Sequence, residues 1–473
     1  MQEHQNGGHS DRLDRLGGMS ARLAIECAAA RAIGRLSRTA GRGGGTTLPG
    51  KLLWKLDPGA IDALAGRLSG GSALVSATNG KTTTTAMAAS ILEPRQRLAW
   101  NSAGANLASG IASTLLAARD AELALLEVDE AALPEILHRT TPRVVSFGNL
   151  FRDQLDRYGE LEIVAERWRA AVAELSPTTV LIVNADDPVV AELAAGRERA
   201  FRFGIDDPAH ARASLQHASD SKYCVRCGQP YRYDSVYVGH LGAYRCEACG
   251  HVRPPLDVAA HNVDLDGLDG SSFDLVTPGG TASVQLALPG LYNVYNALAA
   301  ASLGIALGAT LEEIVAGLER FTAAFGRFER IEADGREVVM LLIKNPAGAN
   351  EVVRTLVDAE TPSVVVVALN DAIADGRDVS WIWDVDFEPL LERVERVVVA
   401  GERAAELGLR FVYGGLPEVA LDVVDSLEGA LARGLELAPA GGRLVILPTY
   451  TAMLALRAIA TERGLVRPYW ERA

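Results

Sequence analysis

The sequence predicts an α/β protein: a central domain with a parallel sheet, an inserted four-cysteine zinc ribbon, and a smaller α/β domain behind it. Three observations carry this prediction. Apolar runs of four to six residues alternate with helical stretches from Ala73 onward, the pattern of a parallel sheet covered on both faces. One of these runs, Ala73-Leu74-Val75-Ser76, leads into Thr78-Asn79-Gly80-Lys81-Thr82-Thr83-Thr84 and then into a helical stretch over 86–92. Two C-x-x-C pairs break the rhythm between Ser221 and Val252.

Strand, tight turn with Gly-Lys-Thr, then helix is the geometry of a phosphate-binding loop. Amide groups at the helix start face the anion, and Gly80 lets the backbone come close. Lys81 supplies a positive charge for the β- and γ-phosphates, and the Thr82 hydroxyl is placed to ligand Mg²⁺. A chance Gly-Lys-Thr at a helix start is the plainer reading, and the flanking strand and helix argue against it. The loop is shorter than the general G-x-x-x-x-G-K-[ST] form, with Ala77 standing where a glycine is expected.

Length and composition bound the rest. At 473 residues the chain has room for two or three domains. A hydrophobic content of 48% with 22% charged residues describes an ordinary globular protein. Its formal charge of −14 argues against a nucleic-acid partner held through phosphates. No apolar run is long enough to span a membrane. Residues from Met1 to about Gly18 are polar, lack the apolar core of a signal peptide and are expected to be disordered, with Met19 a possible start.

In chain order, an Ala/Arg/Leu-rich amphipathic helix over 20–42 opens the fold. It either packs on the body or lies on a membrane surface, and packing is preferred. Cys27 on this helix reads as a packed thiol. After the phosphate loop come apolar strands at 123–129, 144–147 and 180–183. Their polar ends, Glu127 to Asp129, Asn149, and Asn184-Ala185-Asp186-Asp187, are site candidates by position, since ligands sit at the carboxyl ends of parallel strands. Residues 273–288 alternate like antiparallel strands, and 295–307 reads as a helix. Four further strands, at 338–343, 364–368, 397–400 and 444–447, form the second domain. The expected division is 1–55 as extension and helix, 56–330 as the ATP-binding domain with the ribbon at 221–252, and 331–473 as the C-terminal domain.

Cys224-x-x-Cys227 and Cys246-x-x-Cys249 are separated by 18 residues. Each knuckle presents two thiolates to one tetrahedral ion, and Gly228 and Gly250 follow where such turns need them. Redox use of one pair leaves the second unexplained. A closed four-thiolate zinc site has no open position, so a structural role is expected.

The loop, the Glu127 strand, Asn149 with Asp153-Gln154-Leu155-Asp156-Arg157, Asn184 to Asp187, and Gly290-Leu291-Tyr292-Asn293-Val294-Tyr295-Asn296-Ala297 together resemble the central domain of the Mur ligases. The resemblance implies that Thr78, Asn79, Gly80, Lys81, Thr82 and Thr83 hold ATP, that Thr82 and Glu127 hold Mg²⁺, that Asn293 meets the adenine and that Arg327 reaches the nucleotide. Three departures narrow it. There is no room before the loop for a UDP-binding domain, and Gln154 stands where those ligases carry a metal-binding His. Their carbamylated lysine is missing too, because no lysine lies between Asp153 and Val183.

Lys344-Asn345-Pro346-Ala347-Gly348 and the segment Asn370-Asp371-Ala372-Ile373-Ala374-Asp375-Gly376-Arg377-Asp378-Val379-Ser380-Trp381-Ile382-Trp383-Asp384 make the chain most similar to the MurT family. That resemblance implies a heterodimer with GatD, a class I-type glutamine amidotransferase whose Cys and His release ammonia. It implies cytoplasmic amidation of the D-glutamate α-carboxylate in a lipid-linked peptidoglycan precursor, approached peripherally at the inner membrane face. It also makes Asp378 the residue that completes the partner's Cys–His pair, with Asp375 and Asp384 as alternatives. A plain solvated loop with capping aspartates is the competing reading of this segment, and the adjoining Trp381, Ile382 and Trp383 are too apolar for it.

Chemistry agrees with the division of labour. A carboxylate accepts ammonia only after its oxygen becomes a leaving group, which phosphorylation by ATP provides. With four cysteines in the ribbon and Cys27 on a helix, no glutaminase nucleophile is evident here. Two rivals are a stand-alone Mur or folylpolyglutamate type ligase, which the missing lysine and His oppose, and a non-catalytic nucleotide-binding scaffold, which has no need of Lys81, Thr82 and Glu127.

Overall fold

Two sheets organise the protein, which we describe from a computed structural model over residues 21–39, 47–102, 104–153, 160–212, 215, 219–323, 326–359 and 362–466. The expectations for Met1 to Gly18 and for Gln154 to Arg157 fall outside these residues. In the first sheet, β1 (Gly71–Ser76), β2 (Leu98–Trp100), β3 (Leu123–Glu127), β4 (Val144–Phe147), β5 (Val180–Asn184) and β6 (Ala200–Ile205) run parallel. The hairpin β7 (Arg232–Val238) and β8 (Leu241–Arg245) stands apart from it. Then β9 (Val258–Asp266) joins parallel to β6, and β10 (Gly270–Thr277) and β11 (Gly280–Leu286) extend it antiparallel. The order is β11-β10-β9-β6-β5-β4-β1-β3-β2. β1 and β3 are buried along nearly their whole length, which is why their sequences are unbroken apolar runs.

The second sheet contains β12 (Phe328–Ala333), β13 (Arg336–Leu341), β14 (Val364–Ala368), β15 (Arg396–Ala400), β16 (Leu421–Val423) and β17 (Arg443–Pro448), in the order β12-β13-β17-β14-β15-β16. Only β12 is antiparallel to its neighbour. The sequence reading missed β2, β6, β9, β12 and β16, and assigned no strands within the ribbon, where β7 and β8 lie. β2 and β16 have only three residues each, too few to show a period.

Helices cover both sheets. The first, α1 (Ala21–Thr39), buries Leu23, Cys27 and Ala30 at helical spacing and so packs on the body, with Cys27 fully enclosed. α2 (Leu48–Leu56) packs closely on the helix Ala108–Ala117, where a Cβ on Gly50 would lie 1.9 Å from the Ser109 carbonyl oxygen. The helix after the phosphate loop, α3 (Lys81–Leu92), is buried on nearly every side. It lies on the sheet beside α4 (Leu291–Ala306), whose alanines at 297 and 299–301 allow close approach. In the second domain, α5 (Pro346–Asp358) and α6 (Tyr450–Glu462) follow β13 and β17.

Candidate functional site

The phosphate loop turns at Gly80, whose φ of 85° is left-handed. A Cβ there would also lie 1.9 Å from Asn296 Oδ1, so two independent constraints demand glycine. Asn149 fixes the loop from β4: its Oδ1 accepts from the Asn79 amide at 2.9 Å and its Nδ2 donates to the Asn79 carbonyl at 3.0 Å. Thr78 Oγ1 accepts from the Phe151 amide at 3.0 Å. The loop is therefore held in shape by neutral hydrogen bonds, and its charged groups are left for the cleft in front of it.

That cleft, about 360 Å³, lies between the two sheets and is lined by Thr78 to Thr83, Glu127, Arg327, Lys344 and Tyr450, among others. Lys81 Nζ donates to Glu130 Oε2 at 2.7 Å and to the Ala77 and Thr78 carbonyls at 2.5 and 3.4 Å. Burial works against its charge, but Glu130, Glu127 and Asp129 outweigh burial and raise it above the ordinary lysine value. Glu130 was not singled out from sequence. Its signal was its place directly after Asp129 at the end of an apolar strand.

Glu127 stands at the end of β3, 1% exposed. Asn101 pins its backbone, and Asn106 Nδ2 donates to its Oε1 at 3.0 Å, yet Oε2 is buried with no partner among the described residues. A methyl group built on Gly104 would lie 3.8 Å from both Glu127 Oε2 and Thr82 Oγ1, so the two oxygens border one small space. An orphaned carboxylate oxygen opposite a hydroxyl is a hard-oxygen donor set that fits Mg²⁺. Arg327 Nη2 donates to Thr82 Oγ1 at 3.1 Å from across the domain boundary.

Two further groups of sequence candidates lie outside the lining of this cleft. Asp186 is fully buried and pairs with Arg253 at 2.7 Å and with the Tyr295 hydroxyl at 2.6 Å; burial raises its carboxyl despite these partners. Asp187 Oδ1 caps the turn at Pro188–Glu192 through the Val189 amide at 2.9 Å, and its Oδ2 accepts from the Leu150 amide at 2.9 Å. Neither lines the cleft. Asn293 is 3% exposed, and its amide is engaged by the Pro289 carbonyl at 2.8 Å and by Asn296 at 3.0 Å. Its neighbours Tyr292 and Asn296 line the cleft instead.

The second domain touches the loop directly. Lys344 Nζ donates to Asp153 Oδ2 at 2.5 Å and to the Thr78 carbonyl at 3.0 Å. Asn345 caps α5 through the Gly348 amide and exchanges amide hydrogen bonds with Asn79 at 3.0 and 3.2 Å. Sequence motifs flagged this segment, but its partners lie 191 to 266 residues away.

Cys224, Cys227, Cys246 and Cys249 have their sulfurs all within 4.8 Å of one another, with the closest pairs at 3.5 and 3.6 Å. Four thiolates about 2.3 Å from a tetrahedral zinc stand just under 4 Å apart, so these residues fit the ion. The knuckles are alike: Gly228 and Gly250, with φ of 73° and 72°, donate to the Cys224 and Cys246 carbonyls. Tyr231 and Tyr244 pack against Cys224 and Cys246 in a small core of their own.

In the second domain Asp378 is exposed, and its Oδ1 accepts from the Ser380 amide at 2.8 Å. Hydrogen bonds from Ser380 hold its carboxyl below the usual range. Asp375 is 5% exposed and accepts from the Thr451 amide and hydroxyl at 2.8 and 2.5 Å, which ties it to the start of α6. Ile373 at 75% exposed and Trp383 at 48% leave an apolar surface near Asp378 in sequence, extended by Tyr413 against Trp383.

The fold and the loop define a Mur-type ligase architecture. Residues 75–244 match the Mur ligase middle domain and residues 342–453 the MurT ligase C-terminal domain. The fold is similar to that of MurF from Acinetobacter baumannii, with a TM-score of 0.64 and 22% identity over 88% of this chain and 80% of that one. The chain is 34% identical to the lipid II isoglutaminyl synthase (glutamine-hydrolyzing) subunit MurT of Streptococcus pneumoniae, over 90% of this chain and 94% of that protein. It is 33% identical to the same subunit of Staphylococcus aureus, over 89% and 93%. The chain belongs to the MurT family.

Proposed function

We propose that this chain is the ATP-dependent synthetase subunit of a lipid II isoglutaminyl synthase. The observation that carries this reading is one cleft, in a chain of the MurT family, that retains the Gly80-Lys81-Thr82 loop and the buried, half-satisfied Glu127 carboxylate. The relatives' name specifies glutamine hydrolysis and a subunit. The partner in this reading is a GatD-type glutaminase, the acceptor is the α-carboxylate of D-glutamate on a lipid-linked stem peptide, and the reaction runs at the cytoplasmic membrane face. No helix among the described residues is long and apolar enough to cross a membrane.

In this mechanism the amides of Asn79 to Thr83 and the start of α3 cradle the phosphates. Lys81 exchanges Glu130 for phosphate oxygens, while Arg327 reaches in from the residues just before β12. Thr82 and Glu127 would hold Mg²⁺, which neutralises charge on the phosphates when bound. The four cysteines would hold a structural zinc. Asn293 acts at the adenine end through the segment that also presents Tyr292 and Asn296. Asp378 completes the partner's Cys–His pair, orienting the His and stabilising its charged form; its exposure and its fixed Ser380 hydrogen bond suit a group that acts across an interface.

The test is amidation of a lipid-linked muropeptide with ATP, using this chain alone and free ammonium, read by mass spectrometry as replacement of OH by NH₂. Product with ammonium, and with glutamine only after a GatD-type subunit is added, is the expected result. No product with ammonium and partner together would leave the scaffold reading in its place.

A further inference from the structure

Two lysines face the phosphate loop, and they are engaged differently. Lys81 has three ammonium hydrogens and three acceptors: Glu130 and the Ala77 and Thr78 carbonyls. Lys344 has two among the described residues, Asp153 and the Thr78 carbonyl, which leaves one N–H for the cleft that both lysines line. Because both ammonium groups contact the Thr78 carbonyl, their charges straddle the same loop, one from each domain. Asp153 is itself incompletely satisfied, since its Oδ1 is buried with no partner among the described residues. The Lys344 side chain is 24% exposed, so its remaining N–H can meet an anion in the cleft while Asp153 stays paired.

The position of Lys344 is defined by its neighbours. Ile343 bonds backbone to backbone with Pro448, and Asn345 is locked between Gly348 and Asn79. The lysine therefore enters the cleft from a strand-to-helix junction of the second domain, opposite the side of the loop that carries Lys81 and Glu130.

We infer that Lys344 is a catalytic residue, the acceptor-side cation that binds the phosphoryl group as it passes from ATP to the substrate carboxylate. The inference rests on the reading that this cleft activates a carboxylate. In the first step the bond between the γ-phosphorus and its bridging oxygen breaks, a bond to a carboxylate oxygen forms, and ADP leaves with the electron pair. Lys344 keeps its proton and donates it as a hydrogen bond to the moving phosphoryl oxygens, taking the role of a fixed charge aimed at the transition state. In the second step nitrogen bonds to the acyl carbon, phosphate leaves with the carbon–oxygen pair, and the surplus proton on nitrogen goes to solvent.

Lys344→Gln keeps a donor for the Thr78 carbonyl and removes the charge. It is assayed in the assembled complex with ATP, lipid-linked muropeptide and either ammonium or hydroxylamine, which traps an acyl phosphate as hydroxamate. The expected result is a fall in kcat of about 10² to 10³ with either nucleophile, a KM for ATP within about threefold of wild type, and partial recovery in Lys344→Arg. Unchanged kcat, or a loss confined to KM for ATP, would make Lys344 a strut between domains and overturn the inference. Should Gln lower the melting temperature, Asp153→Asn decides, because it leaves the ammonium and removes its tether. A fall of less than about tenfold there is expected, and a loss as deep as that of Lys344→Gln would make the ion pair the working element instead. Failure of the wild-type complex to amidate would refute the proposed function itself, which these variants do not touch.

Discussion

Two acid-rich segments follow parallel strands in this protein, and they have opposite characters. Glu127, Asp129 and Glu130 follow β3 and are all within 5% exposure. Asp371 to Asp386 follow β14, and there only Asp375 is so deeply buried, while Asp378 is open to solvent. The first cluster is held in low dielectric beside Lys81, so its charge raises the lysine and leaves one carboxylate oxygen waiting for a ligand. The second is divided between a buried acid that ties one helix to its loop and an exposed acid held rigid by Ser380. Acids at a strand's end thus mark a site only once burial and the nearest cation are known.

The sharpest way to break this comparison is in the first cluster. Glu127→Gln should reduce ATP-dependent amidation by about 10³ or more, with ammonium as well as with glutamine, because charge at the phosphates is then unbalanced; steady-state assays with both nitrogen sources check this. In the second cluster the loss should be selective. Asp378→Asn is expected to lower glutamine-driven activity by about 10³ to 10⁴ while ammonium-driven activity and ATP binding persist, and normal glutamine-driven turnover would remove the assignment.

The ribbon's metal site is a control, since none of its four cysteines lines the cleft. Cys246→Ser should release zinc, measured by elemental analysis, and destabilise the protein by several kcal/mol, with ATP affinity changed less than about threefold. Asp375→Ala should cost about 1 to 2 kcal/mol in chemical denaturation, the price of two lost hydrogen bonds at a helix start.

The smallest effect separates Asp375 from Asp378 by sign. Burial raises the Asp375 carboxyl although the Thr451 bonds pull it down. The folded chain then holds that proton more tightly than the unfolded chain, so this group's contribution declines as pH rises from the ordinary carboxylate value through the raised one. Ser380 lowers Asp378, whose contribution is present above the unfolded value and lost as pH falls through the lowered one. Asp375→Asn should therefore gain on wild type as pH rises from about 4 to 6, and urea titrations at both ends measure it.

What the sequence settled by itself was whatever short-range geometry specifies. Gly80 before a helix, the unbroken apolar runs of β1, β3 and β14, and the two knuckles with Gly228 and Gly250 are fixed within a few residues, so they were legible. The edge strands β2 and β16 were too short to carry a period, and β12 fell across the expected domain boundary. Tertiary structure alone decided which polar residues line the cleft. Asp186 and Asp187 looked like site residues until Arg253, Tyr295 and Leu150 arrived from distant segments to occupy them. Glu130 became the partner of Lys81, and Lys344 met Asp153, through packing that no local pattern encodes. Charge and hydrogen bonding act over a few ångströms of space, and the chain brings residues that close from 37 to 191 positions apart.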